Sequence, residues 1–263
     1  MAHPNRLQNT RVLIFGGTSG IGFGVASMAL SNGAIVTISG SAQPKVDAKV
    51  QELQSFYPSA QVSGVALDLS DTANLEANLK DLLEKVTENG GKKLDHIVHC
   101  AGDALKLPKI HEITAENGLA GFHVRWLAAA LIGKLLATGA YMYQKKSSSF
   151  TITGGTNTAK PMAGWTMGAS WGAASEGLAR GLAVDLKPIR VNLVAPGAVD
   201  TPLFQKFIES VGKEREEEVK KTYSLLATWG DVKDTAEAYG WFMRDWYVTG
   251  TIASSDGGRL LVG

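Results

Sequence analysis

Short apolar runs alternate along this chain with longer stretches in which apolar positions recur every three or four residues. The runs at 11–15, 34–39, 61–67, 95–100, 149–153, 190–195 and 250–254 predict strands. Between them, 20–32, 44–56, 72–88, 112–141, 165–186 and 231–245 carry a helical period. Strand and helix alternate from start to finish, which predicts an α/β chain with a doubly wound parallel sheet of about seven strands. Helices would cover both of its faces. The segment 201–226 interrupts the alternation after a strand, where such sheets often carry a substrate lid. Within it, 213–221 reads KEREEEVKK, a charge pattern that predicts a solvated helix face.

Composition narrows the function classes. At 263 residues, 44% hydrophobic and 19% charged, the chain is expected to form one globular domain over 1–263. Twenty-six basic against 25 acidic residues leave a net charge of +1, so no overall field draws it to nucleic acid or membrane. A lone cysteine, Cys100, excludes an internal disulfide and a Cys-rich zinc site. The opening MAHPNRLQNT has no apolar centre, and no apolar run approaches the ~20 residues of a bilayer span. A soluble, cytoplasmic protein is expected.

The strand ending in Phe15 runs into Gly16-Gly17-Thr18-Ser19-Gly20-Ile21-Gly22, where a helical pattern starts. Glycines there permit a tight turn, and the helix N-terminus can face a pyrophosphate. Strand before and helix after make dinucleotide binding the reading of this loop. The spacing Gly-x3-Gly-Ile-Gly resembles the short-chain dehydrogenase/reductase family, whose Rossmann-like fold it implies. Asp68 stands where that family contacts adenine, and His99-Cys100-Ala101-Gly102 resembles its Asn-Asn-Ala-Gly turn. The segment from Arg190 to Gly197, followed by Val199, Thr201 and Pro202, resembles its nicotinamide-side segment. The resemblance thus implies cofactor contacts at Asp68, Ala101, Gly102, Pro196, Gly197, Val199 and Thr201, and a homodimer or homotetramer.

The second strand ends without an acidic residue to hold a ribose 2′-hydroxyl. Ser39, Ser41 and Lys45 could instead receive a 2′-phosphate, so NADP(H) is the expected cofactor.

The resemblance departs at the catalytic residues. Aligned on Glu176-Gly177-Leu178 and on the run from Leu182 to Leu186, the family's Tyr falls on Gly168. Its Lys falls on Gly172, its Ser on Gly155 and its Asn on Arg125. The surviving Tyr-x3-Lys match, Tyr141 with Lys145, belongs to the edge of the sheet opposite the ligand and reads as a decoy. Without a proton donor, reduction of a neutral ketone should be poor. An iminium ion needs no added proton, because hydride alone converts it to an amine.

Three residues remain candidates for the chemistry. Asp103 follows the fourth strand and could stabilise a cation, with a capping role as its plainer reading. Arg125 could bind a carbonyl or pair with Asp103. Trp165, in the loop from Pro161, could stack on a flat substrate or engage a cation through its π face, or simply pack the lid. His123 should point elsewhere, while Trp126, Trp171 and Trp229 read as core or interface residues. His99 and Cys100 read as strand-end packing, without a metal.

These features resemble a fungal branch of the family that includes bifunctional reductase/Diels–Alderases of bicyclic diketopiperazine-like indole-alkaloid pathways. That branch lacks Tyr-Lys, has Arg at the Asn position, and carries a Pro-Asp-Pro-Gly-Trp loop; Met162 replaces the loop aspartate here. The resemblance implies an NADPH-dependent reductase of an imine or iminium, with or without control of a Diels–Alder cyclisation. Its substrate would be a polycyclic indole or cationic imine. A cofactor-bound cyclase without hydride transfer and a non-catalytic dinucleotide sensor or partner subunit remain the alternatives.

Overall fold

The computed structural model describes residues 2–105, 107–212 and 216–263. Seven parallel strands form one sheet: β1 (Arg11–Phe15), β2 (Ile35–Gly40), β3 (Val62–Ala66), β4 (His96–His99), β5 (Ser149–Thr153), β6 (Arg190–Pro196) and β7 (Ile252–Ser255). Their order is β3-β2-β1-β4-β5-β6-β7. Strand order reverses between β1 and β4, and the crevice at their carboxyl ends is where such sheets bind ligands.

Residues alternate across the sheet, so each strand feeds two cores. Leu13, Phe15, Ile97, Phe150 and Leu193 pack under α3 (Leu75–Thr87), α4 (Ala128–Ala137) and α5 (Thr166–Asp185). Val12, Ile14, Ile38, Val98 and Val194 pack on the other face. There they meet α1 (Gly20–Ser31), α2 (Gln43–Phe56) and α8 (Val232–Arg244). The predicted single-domain, doubly wound architecture is therefore the observed one.

Two local expectations change. The helix expected over 112–141 begins as short turns and a π-helical turn at His123–Leu127, becoming regular only in α4. Gly121 lets this stretch pass close to Trp171, where an added Cβ would lie 1.9 Å from the ring. Against the expectation that no apolar run is long enough, Asn117–Ala137 has the length and composition of a membrane span at 21 residues. Its residues Ala128, Ala129, Ile132 and Leu136 are fully buried in the sheet-facing core, which accounts for the apolar run.

The inserted segment forms α6 (Pro202–Val211) and α7 (Glu216–Tyr223). Thr201 starts α6 by accepting a hydrogen bond from the Phe204 amide, with Pro202 following. Of the expected charged face at 213–221, residues 213–215 lie outside the described residues. Glu217, Glu218 and Lys221 are exposed, whereas Lys220 pairs with Glu216 and Glu217 and Val219 turns inward.

Candidate functional site

A cavity of about 850 Å³ opens at the carboxyl ends of the strands and extends beneath α6 and α7. Its first half is the glycine loop. Amides of Gly16 and Gly17 donate to the Ser39 carbonyl at 2.9 and 3.0 Å, tying the loop to β2. Gly16 has φ of +77°, and a Cβ there would lie 2.6 Å from the Ala101 amide nitrogen. At Gly22 a Cβ would lie 2.3 Å from the Gly16 carbonyl oxygen, so any side chain would push α1 off the loop. Ser19 gives α1 no side-chain cap among the described residues, leaving the first-turn amides to face a ligand.

Every expected cofactor residue lines this cavity: Gly16, Thr18, Ser19, Gly20, Ile21, Gly22, Ser39, Ser41, Lys45, Asp68, Ala101, Gly102, Pro196, Gly197, Val199 and Thr201. Asp68 accepts hydrogen bonds from the Ser70 hydroxyl at 2.7 Å and amide at 2.9 Å, which lower its pKa. A glycine cradle that side chains would fill, a helix N-terminus and a long cavity fit a dinucleotide.

The second half of the cavity holds Asp103, Arg125 and Trp165. Arg125 forms an ion pair with the Asp103 carboxylate and donates a second bond to the Asp103 carbonyl at 2.7 Å. Its guanidinium lies over the Trp171 ring at 5.3 Å and against Gly102, where a Cβ would approach it to 2.9 Å. The alternative that Arg125 pairs with Asp103 is thus realised. Trp165 is set by a tight turn in which its amide donates to the Met162 carbonyl at 3.0 Å, with Gly164 at φ of +80°. Its indole meets Phe207 edge-on, with centroids 5.8 Å apart.

Gly155, Gly168 and Gly172 also line the cavity. A Cβ on Gly168 would lie 3.0 Å from the Trp165 ring, and one on Gly172 would lie 2.4 Å from Thr158 Oγ1. Side chains at 168 and 172 would press on these neighbours, whereas a Cβ on Gly155 would meet only the Pro196 carbonyl at 3.9 Å. Tyr141 and Lys145 do not line the cavity. Lys145 pairs with Asp95 at 3.0 Å, and Leu94 bridges to Met142 at the opposite sheet edge, as expected of a decoy.

Trp171 and Trp229, expected only to pack, also line the cavity, because a core ring can show one edge to a hollow. Trp229 Nε1 donates to Glu216 at 2.8 Å, binding α7 to the body. Trp126 instead packs with Phe122, Ala174 and Leu178 at a separate shallow apolar site. The inserted segment contributes Phe204, Phe207, Ile208, Val219 and Tyr223 to the lining. On α6 the spacing of Phe204, Phe207 and Ile208 could have marked an inward stripe. Lys160 donates to the Val262 carbonyl and lies outside the cavity lining.

His99 is buried at the end of β4, as the packing expectation has it, whereas Cys100 also lines the cavity. Burial pushes the Cys100 thiol up to about 11, and Thr153 donates to its sulfur at 3.2 Å. No cluster of metal-ligating side chains occurs among the described residues.

The sheet order, glycine cradle and crevice define a dinucleotide-binding α/β domain. A model of the SDR-like Rossmann domain matches residues 3–262, and the chain belongs to the short-chain dehydrogenase/reductase family. It is 36% identical over 258 residues to the short-chain dehydrogenase/reductase malC of Malbranchea aurantiaca, covering 97% of this chain and 96% of that one. The short-chain dehydrogenase/reductase ucsE of an Acremonium species is also 36% identical, with 98% and 97% covered. The solved structure of the MalC reductase/Diels-Alderase superposes with a TM-score of 0.90, covering 98% of this chain and all (100%) of that one. A Burkholderia cenocepacia short-chain dehydrogenase solved with NADP is 25% identical, with a TM-score of 0.81 and 97% and 99% covered.

Proposed function

We propose that this chain is an NADPH-dependent reductase of an imine or iminium carbon in an indole-alkaloid-type substrate. The observation that carries the reading is that glycines, Gly168 and Gly172, line the crevice where a Tyr-Lys pair would supply the proton, with the Trp165 ring and Thr158 Oγ1 beside them. When bound, the nicotinamide supplies hydride. Reduction of a ketone additionally needs a proton for the alkoxide, whereas an iminium becomes a neutral amine on hydride transfer alone.

The chain's own residues then have three tasks. Ser39, Ser41 and Lys45 receive the 2′-phosphate at the end of β2, with no acidic side chain at that end to repel it. Asp103 offers its carboxylate to the cationic substrate and is held in place by Arg125. Trp165 and the lid rings exclude water and align a flat substrate.

Control of a cyclisation is a second activity of the same cavity in this proposal. It is supported by the similarity to the MalC reductase/Diels-Alderase and by the breadth of the aromatic lining. The test is a steady-state comparison with NADPH, using a preformed cyclic iminium and a ketone of the same skeleton. The iminium should turn over and the ketone should be poor. Efficient ketone reduction would overturn the assignment.

A further inference from the structure

A buried histidine outside the cavity lining reaches the turn that carries Arg125. His99 ends β4 and is buried, with its ring tilted against Phe15 at 6.1 Å between centroids. Its Nε2 lies 2.9 Å from the carbonyl oxygen of Val124, the residue before Arg125. A carbonyl can only accept, so a proton sits on Nε2. Burial, pushing the His99 pKa down to about 4, keeps the ring neutral. Nδ1 is buried without a hydrogen-bond partner among the described residues. The ring's polar role is therefore concentrated in the bond to Val124.

That carbonyl belongs to the π-helical turn His123–Leu127. A wider turn departs from the regular helical bonding pattern, and the His99 bond reaches it from outside the helix. Asp103 lies four residues beyond His99, just after the same strand. One strand end thus references both partners of the ion pair, Asp103 through the chain and Arg125 through His99 and the π turn.

We infer that His99 is a positioning residue for Arg125, holding the π turn through the Val124 carbonyl so that the guanidinium meets Asp103, Gly102 and Trp171. Its consequence for turnover rests on the reductase reading given above. The hydrogen bond acts on a backbone atom outside the glycine loop, so its loss would move Arg125 while leaving Gly16 to Gly22 in place.

Three substitutions test this. His99→Leu removes the donor. His99→Asn keeps a polar amide but is too short to reach Val124. His99→Gln can place its amide nitrogen where Nε2 lies. In crystal structures, Leu or Asn should let Arg125 leave Asp103, and Gln should retain the pair. Iminium kcat/KM should fall about ten-fold or more for Leu and Asn, mainly in kcat, with Gln close to wild type. The NADPH Kd should stay within about two-fold throughout, which separates misplacement from misfolding. If His99→Leu does not fold, the Asn and Gln pair decides. Arg125 remaining on Asp103 in His99→Asn, or Gln behaving no better than Asn, would overturn the inference. If the wild-type protein reduces no iminium, the reductase reading falls, and the crystallographic comparison still judges the positioning role.

Discussion

The indole of Trp165 occupies the space that a β-carbon on Gly168 would enter, at a separation of 3.0 Å. Trp165 comes from the turn before α5 and Gly168 from the first turn of that helix, so the ring folds back onto its own helix. Installing Tyr at 168 and Lys at 172 should therefore not create a ketone reductase. The double variant should lose stability by roughly 1–3 kcal/mol from overpacking, as read by chemical denaturation. A stable double variant that reduces ketones would show that the space is not closed.

Replacing Trp165 with Leu keeps apolar bulk but removes the ring face. Turnover or product stereochemistry should change by roughly 1–3 kcal/mol, with melting little altered. Arg125→Ala should weaken substrate orientation while NADPH affinity stays near normal. Combined, the two should be non-additive if both groups hold one bound molecule, and a double-mutant cycle on kcat/KM measures this.

Cofactor choice is tested at the end of β2. Calorimetric dissociation constants should be lower for NADP(H) than for NAD(H). Ser41 is exposed, so Ser41→Asp should fold normally while costing NADPH about 1 kcal/mol or more through charge repulsion. Equal affinities in the wild-type protein would remove the roles given to Ser39, Ser41 and Lys45.

Acid stability follows from two buried histidines. His96, bonded to Ser149 at 2.9 Å, has its pKa pushed down to about 3 by burial, and His99 to about 4. A depressed folded-state pKa means that the unfolded chain binds the extra proton first. Stability is thus complete above about pH 6.5 and declines as pH falls toward 4, by about 1.4 kcal/mol per pH unit for each histidine. Denaturation midpoints from pH 7 to 4 should show this slope, and His96→Asn should reduce it by about one proton. A flat profile across that range would contradict the neutral buried state.

The strands were legible because apolar runs and their alternation with helices state the sheet directly; β1 and β5 fall where the pattern puts them. The glycine loop was equally plain, since its spacing sits between an obvious strand and helix. The stretch over 112–141 was less so. Gly121 against Trp171, a tertiary contact in this stretch, leaves no periodic trace. For the same reason Trp171 and Trp229 read as packing, since hydrophobicity does not tell a core wall from a cavity wall. The Asp103–Arg125 pair could be named as a possibility, but the π turn that carries Arg125 and the His99 bond to it leave no trace in the periodicity.

The central claim is hydride delivery to a carbon–nitrogen double bond without an acid at position 168. The most direct measurement is a single turnover with NADPH deuterated at nicotinamide C4, followed by mass and chirality analysis of the product. A preformed iminium should yield one amine enantiomer carrying one deuterium, with matching oxidation of the cofactor. Cyclised product without deuterium transfer, or bound cofactor that stays reduced beside intact iminium, would contradict it.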